Sequence, residues 1–187
     1  MKYTKDIILI NEIKTGDIGL TSGTTWVSRQ IQRFQKNESE VFNIYSHALI
    51  FRWENGELFA TEAQKHGICN NVFIERYMNK KYKSIMVLKP KNLLIEPESF
   101  TALMMPYIGN SRYNYFSLLV LQPIKMLTGK WLGRTETMSK KFTCGRWAAF
   151  IYNRYFEHTG QLIFPDEMDM APVDLAEDNQ FNHYQLK

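Results

Sequence analysis

At 187 residues, with 44% hydrophobic and 14% aromatic residues, the chain suits one globular domain with a sizeable core, which excludes wholesale disorder. A net charge of +4 is too modest to mark a nucleic-acid binder, and the basic runs at 76–91 and 125–146 read as solvated surface. Two cysteines make no disulfide framework, and no apolar run approaches the roughly 18 to 20 residues of a membrane span or forms a secretory signal. The expectation is therefore a soluble, cytoplasmic protein, with export by another route left open.

In chain order, residues 14–17 (Lys-Thr-Gly-Asp) form a turn into a short strand at 18–20. Thr24 or Thr25 caps a helix through Gln35, with Val27, Ile31 and Phe34 on one face. Apolar strand-like runs then surround His47 and Glu62, separated by Asn55-Gly56, a strong signal for a two-residue hairpin loop. If Glu54 pairs with Glu57, paired positions sum to 111 and His47 faces Gln64. Glu62 is then its diagonal neighbour on the same face, about 7 to 8 Å away. A one-residue slip would turn Glu62 to the opposite face.

Residues 67–74 and 84–89 read as further strands, and 97–107 as a helix with Pro97 in its first turn and Glu98 or Ser99 as cap. Residues 110–115 form a polar turn. A bent helix is expected at 116–127, because Pro123 removes a backbone donor, followed by a Gly- and Lys-rich loop to 141. A last helix starts at Cys144 and stops near Gly160. Residues 178–187 are polar and are expected to fray, leaving 1–187 as a single domain.

Three residues carry chemistry. Cys144 at a helix start is placed for thiolate formation, because exposed backbone N–H groups and the helix dipole favour the anion. A strand histidine, His47, suits the base, and a carboxylate on the adjoining strand, Glu62, suits the group that orients it. Taken singly, each has a blander reading: a buried small residue, a core histidine, an edge-strand carboxylate. Cys69 reads as structural. No metal-ligand spacing and no phosphate-binding glycine loop occurs, so no metal and no cofactor is called for.

The order of these elements resembles a known family. Gly16-Asp17-Ile18-Gly19-Leu20, Tyr45-Ser46-His47-Ala48, Thr61-Glu62-Ala63, Tyr113-Asn114-Tyr115 and Phe142-Thr143-Cys144 together are similar to the circularly permuted NlpC-type papain-like proteins. This is the YiiX/YebB-like branch, related to lecithin retinol acyltransferase, and the likeness runs from about Gly16 to Tyr152. The histidine preceding the cysteine reverses papain's order.

The resemblance implies an α+β papain-like fold, with a small antiparallel sheet packed against helices. It implies a thiol hydrolase of amidase or peptidase type, with Cys144, His47 and Glu62 catalytic, acting through a thioester. Tyr113, or Tyr115 in its place, would line the substrate site. Family members often follow the cysteine with Ser and an acidic residue, whereas this chain has Gly145-Arg146. Arg146 would then sit at the pocket mouth and favour an anionic group. The substrate implied is a peptide, an acyl-lipid or an isopeptide, with peripheral membrane contact for a lipid. The alternatives are an acyltransferase on a lipid, or a non-catalytic lipid- or peptide-binding module using the same groove.

Overall fold

The computed structural model describes residues 6–35, 41–78, 84–114, 141–165, 167 and 170–187. The expected bent helix at 116–127, most of the loop after it, and Tyr115 lie outside these residues. The architecture is α+β, built on a seven-stranded, mostly antiparallel sheet in the order β1-β9-β6-β2-β3-β4-β5. Its strands are β1 (Asp6–Ile8), β2 (Ile18–Thr21), β3 (His47–Glu54), β4 (Glu57–Gln64), β5 (Gly67–Val72), β6 (Ile85–Pro90) and β9 (Phe181–Leu186). Two short strands, β7 (Arg112–Tyr113) and β8 (Lys141–Phe142), pair in parallel beside it.

Both faces of the sheet are covered, which explains the near-continuous apolar runs of its central strands. Ala48 and Ile50 of β3, with Met86 and Leu88 of β6, face one core. Trp147, Ala148, Ile151 and Tyr152 of helix α4 (Cys144–Phe156) fill that side. So do Phe100 and Met104 of α3 (Pro97–Met104) and Val173 and Leu175 of α5 (Pro172–Glu177). On the other face Leu49, Phe51, Leu58, Ala60 and Val87 pack with Phe73 and Tyr77 of α2 (Phe73–Tyr77). Helix α1 (Trp26–Gln35) begins at Thr25, whose Oγ1 accepts from Ser28 N at 3.1 Å. Of the apolar face expected there, Ile31 is buried and Val27 exposed, while the Phe34 side chain lies outside the described residues.

The hairpin register follows the expected sum. Asn55 and Gly56 both take positive φ, 51° and 78°, as a two-residue primed turn requires, and Glu54 pairs with Glu57. The ladder runs back from there to Ile50–Thr61. Nearer the site β3 stays paired to β2, through Thr21–His47, and β4 to β5, through Glu62–Cys69 and Gln64–Gly67. Between those ends the start of α4 approaches. Trp147 Nε1 donates to the carbonyl of Thr61 at 3.3 Å, and at the far side the Tyr152 hydroxyl donates to Gly16 O.

Four expectations change. The tail is not frayed: residues 181–186 form β9, paired to β6 and to β1. Phe181, Tyr184 and Leu186 pack into the two cores, so apolar side chains on both faces outweigh the polar Asn182, His183 and Gln185 between them. The sheet is correspondingly larger than the small one anticipated. The strand at 67–74 ends at Val72, because Phe73 and Tyr77, four apart, bury one face of a helical turn. Helix α3 stops at Met104 and tightens into a 3₁₀ turn containing Pro106. Glu96, rather than Glu98 or Ser99, caps it by accepting from Glu98 N and Ser99 N at 3.0 and 2.6 Å.

Gly145 has a packing reason. A Cβ there would lie 2.3 Å from the backbone oxygen of Met170, which cannot retreat as a flexible side chain would. Gly145→Ser should therefore cost about 3 kcal/mol and lower the melting temperature by roughly 5 to 10 °C, read by thermal denaturation.

Candidate active site

Thr143 is the N-cap of α4, its side chain accepting from Arg146 N at 3.3 Å. This fixes Cys144 as the first helical residue, where backbone N–H groups lack intrahelical acceptors. Its thiol is buried, at 3% exposure. Burial alone would push the thiol up, but the facing His47 lowers it, helped by the backbone N–H groups of Ala48 and Gly145. Ala48, like Ile50, directs its backbone away from β2 and towards the β4 side. Where the β3–β4 ladder ends, that N–H turns to sulfur instead of to a strand.

His47 lies at the start of β3, with its side chain 21% exposed. Its Nε2 bonds Glu62 Oε2, which leaves Nδ1 for the thiol. Burial opposes its protonation, yet the Cys144 thiolate and the Glu62 carboxylate together carry it up to about 10. Glu62 is fully buried in β4. Burial would raise its carboxyl, but the His47 imidazolium, the Tyr77 hydroxyl and Gln64 hold it below the usual range. The three side chains singled out from sequence thus meet as one chain of contacts, sulfur to imidazole to carboxylate.

Sequence reasoning missed the groups around Glu62. Tyr77 of α2 donates to Oε2, Asn71 Nδ2 of β5 donates to Oε1 at 2.9 Å, and Arg76 Nε lies 3.2 Å from Oε1. Asn71 lies in the segment expected to be strand, and Arg76 and Tyr77 lie just beyond its expected end, in α2. The Phe73–Tyr77 spacing was the signal that could have revealed the turn of helix carrying two of them.

A cavity of about 310 Å³ opens beside His47. Val27, Ser28 and Ile31 of α1 line one side, and Ala63, Gln64, Lys65, Arg76, Tyr77 and Tyr113 line others. Gln32 Nε2 donates to the carbonyls of Gly23 and Ile44 at 3.1 and 2.7 Å, tying α1 to the loops around the opening. Tyr113 is part of this lining; Arg146 is not among the described lining residues. It is buried at 5% exposure, with Nη1 donating to Lys141 O at 2.7 Å and the guanidinium 5.2 Å from the Phe142 ring centroid. Two residues along a helix is about 200° around it, so Arg146 turns away from the side that Cys144 presents.

Comparison with solved structures finds a match over 91% of this chain and 95% of the other, with a TM-score of 0.51 and 14% identity. It is the crystal structure of metalloprotein YiiX (DUF1105) from Escherichia coli O157:H7. The likeness establishes the fold: this chain has a YiiX-like, papain-like α+β architecture. No protein-family model and no curated protein matches.

The residues here do not suit a metal. A cation at Glu62 would compete with the Arg76 guanidinium and with the Tyr77 and Asn71 donors already aimed at the carboxylate. Among the described residues no group of three or more His, Cys, Asp or Glu side chains is arranged to ligate one. Nor is any described helix long and apolar enough to cross a membrane.

Because the thiol is lowered, alkylation of Cys144 by iodoacetamide should show a midpoint below the ordinary value of about 8.5. Tyr77→Phe removes a donor that favours ionised Glu62, and should raise that midpoint and slow alkylation at pH 7 about threefold or more. Rates measured against pH, with site-resolved mass spectrometry separating Cys144 from Cys69, provide the check.

Proposed function

We propose that the protein is a cysteine hydrolase acting on an amide or ester bond, with Cys144 as nucleophile, His47 as general base and acid, and Glu62 as its orienting carboxylate. The observation that carries this reading is His47, bonded to buried Glu62 through Nε2 and facing the sulfur of a helix-capped cysteine with its other side. The resemblance to the permuted NlpC-type proteins, with histidine ahead of cysteine, supports the same assignment.

The Cys144 thiolate attacks the substrate carbonyl carbon and forms a C–S bond. The carbonyl electron pair moves to oxygen, and backbone N–H groups at the α4 start, that of Cys144 first, stabilise the oxyanion. The tetrahedral adduct collapses, the bond to the leaving amine or alcohol breaks, and the His47 imidazolium supplies the leaving group's proton. Water, deprotonated by His47, then attacks the thioester. The acid is released and the thiol regenerated. Attack by an amine or alcohol in place of water makes the same acyl-enzyme a transferase, the second reading for a lipid substrate. Tyr113 lines the cavity in which the acyl donor would sit. A peptide of cell-wall type, an acylated lipid or an isopeptide each offers the required bond.

Two variants test the assignment. Cys144→Ala should abolish turnover of an activated ester and all probe labelling at that position; full turnover would sink the mechanism. Glu62→Gln keeps the shape but removes the charge, and should lower kcat about ten- to a hundredfold. The pH profile has a defined sign. The nucleophile gains as pH rises through the lowered thiol value, and the acid is lost as pH passes about 10. Turnover should therefore fall above about 10 while alkylation of Cys144 stays fast.

A further inference from the structure

The cavity beside His47 is electrically lopsided. Its α1 side is uncharged, with Val27, Ser28 and Ile31. Two cations line it elsewhere: Lys65, in the exposed turn joining β4 to β5, and Arg76, whose side chain is 37% exposed. Glu62 is the one acidic residue in the described lining, and it is fully buried against the His47 ring and Arg76. When Cys144 and His47 form an ion pair their charges cancel, and Glu62 offsets one of the two remaining cations. The opening is left with a net positive charge beside His47, whose ring faces the sulfur.

We propose that Lys65 and Arg76 bind an anionic group, a carboxylate or a phosphate ester, carried by the acyl substrate close to its scissile carbonyl. This rests on the reading of Cys144 as nucleophile and names the substrate class it acts on: an amphiphilic acyl compound with its apolar part against α1 and its anion against the β4–β5 turn. The role that sequence adjacency suggested for Arg146 falls instead to Lys65 and Arg76. Burying a small anion near two cations in a half-enclosed site favours binding more than the same charges do in open solvent. The same cations discriminate against a positively charged substrate.

Alkylation by a matched pair of reagents tests this without knowledge of the natural substrate. Iodoacetate carries a carboxylate where iodoacetamide carries a neutral amide, and both transfer the same carbon to sulfur with loss of iodide. The ratio of their rates at Cys144, read by site-resolved mass spectrometry, should favour iodoacetate over its ratio at Cys69 or at free cysteine. Lys65→Gln should lower the ratio by roughly threefold and Lys65→Glu by roughly tenfold, with the iodoacetamide rate falling far less than the iodoacetate rate; added salt should act in the same direction.

Arg76→Gln should lower both rates, since Arg76 also contacts Glu62, but the iodoacetate rate more. A ratio equal to that of free cysteine and insensitive to Lys65 would overturn the proposal while leaving the nucleophile intact. A slow iodoacetamide reaction with an ordinary thiol midpoint would instead remove the reading beneath it. Protection of Cys144 by inorganic phosphate at constant ionic strength supports a phosphate-bearing substrate, and protection by succinate a carboxylate-bearing one; protection by neither counts against both.

Discussion

The constraint on which the rest depends is a carboxylate with no access to water. Glu62 is fully buried, and an ionised carboxylate in that position is sustained only by partners that replace its hydration. His47, Tyr77, Asn71 and Arg76 supply them, drawn from β3, α2 and β5. Each partner is useful twice. Satisfying the carboxylate fixes the pose of the imidazole, and the fixed imidazole is what lowers the neighbouring thiol. Removing one donor therefore weakens the site through Glu62 without touching sulfur.

The sheet delivers these groups by failing to pair along its full length. The hairpin turn at Asn55-Gly56 sets the register of β3 against β4, and the register puts His47 and Glu62 on one side. Had the two strands stayed hydrogen-bonded to their ends, the Ala48 N–H would have faced a carbonyl of β4. The start of α4 comes there instead, anchored by Trp147 on Thr61 and by the hydroxyl of Tyr152 on Gly16. Buried Phe142 and partly buried Tyr107 pack their rings against Trp147 and Phe150 of that helix. Packing of the large core thus sets the geometry of a small polar cluster.

The parts of this arrangement legible in the sequence were those fixed by local chemistry. Asn55-Gly56 specifies a two-residue turn and with it a register, and Thr143-Cys144 before an apolar run specifies a helix start. What was not legible depends on contacts between distant segments. Tyr77, Asn71 and Arg76 carry no motif and gain meaning only when β5 and α2 fold back onto β4. Arg146 misled because closeness in sequence to Cys144 is not closeness in direction on a helix. The last strand was hidden by its polar residues, since Phe181, Tyr184 and Leu186 find their cores only after β6 and β1 are in place.

Everything in the site turns on His47 being held as an imidazolium between two anions, the Cys144 thiolate and the Glu62 carboxylate. The most direct measurement is its protonation by NMR, following the labelled ring across pH in the native protein and in Cys144→Ala. The native ring should stay protonated until about pH 10, and removal of the thiolate should lower that value markedly. A ring that titrates near the ordinary value of about 6.5 in both proteins would contradict it.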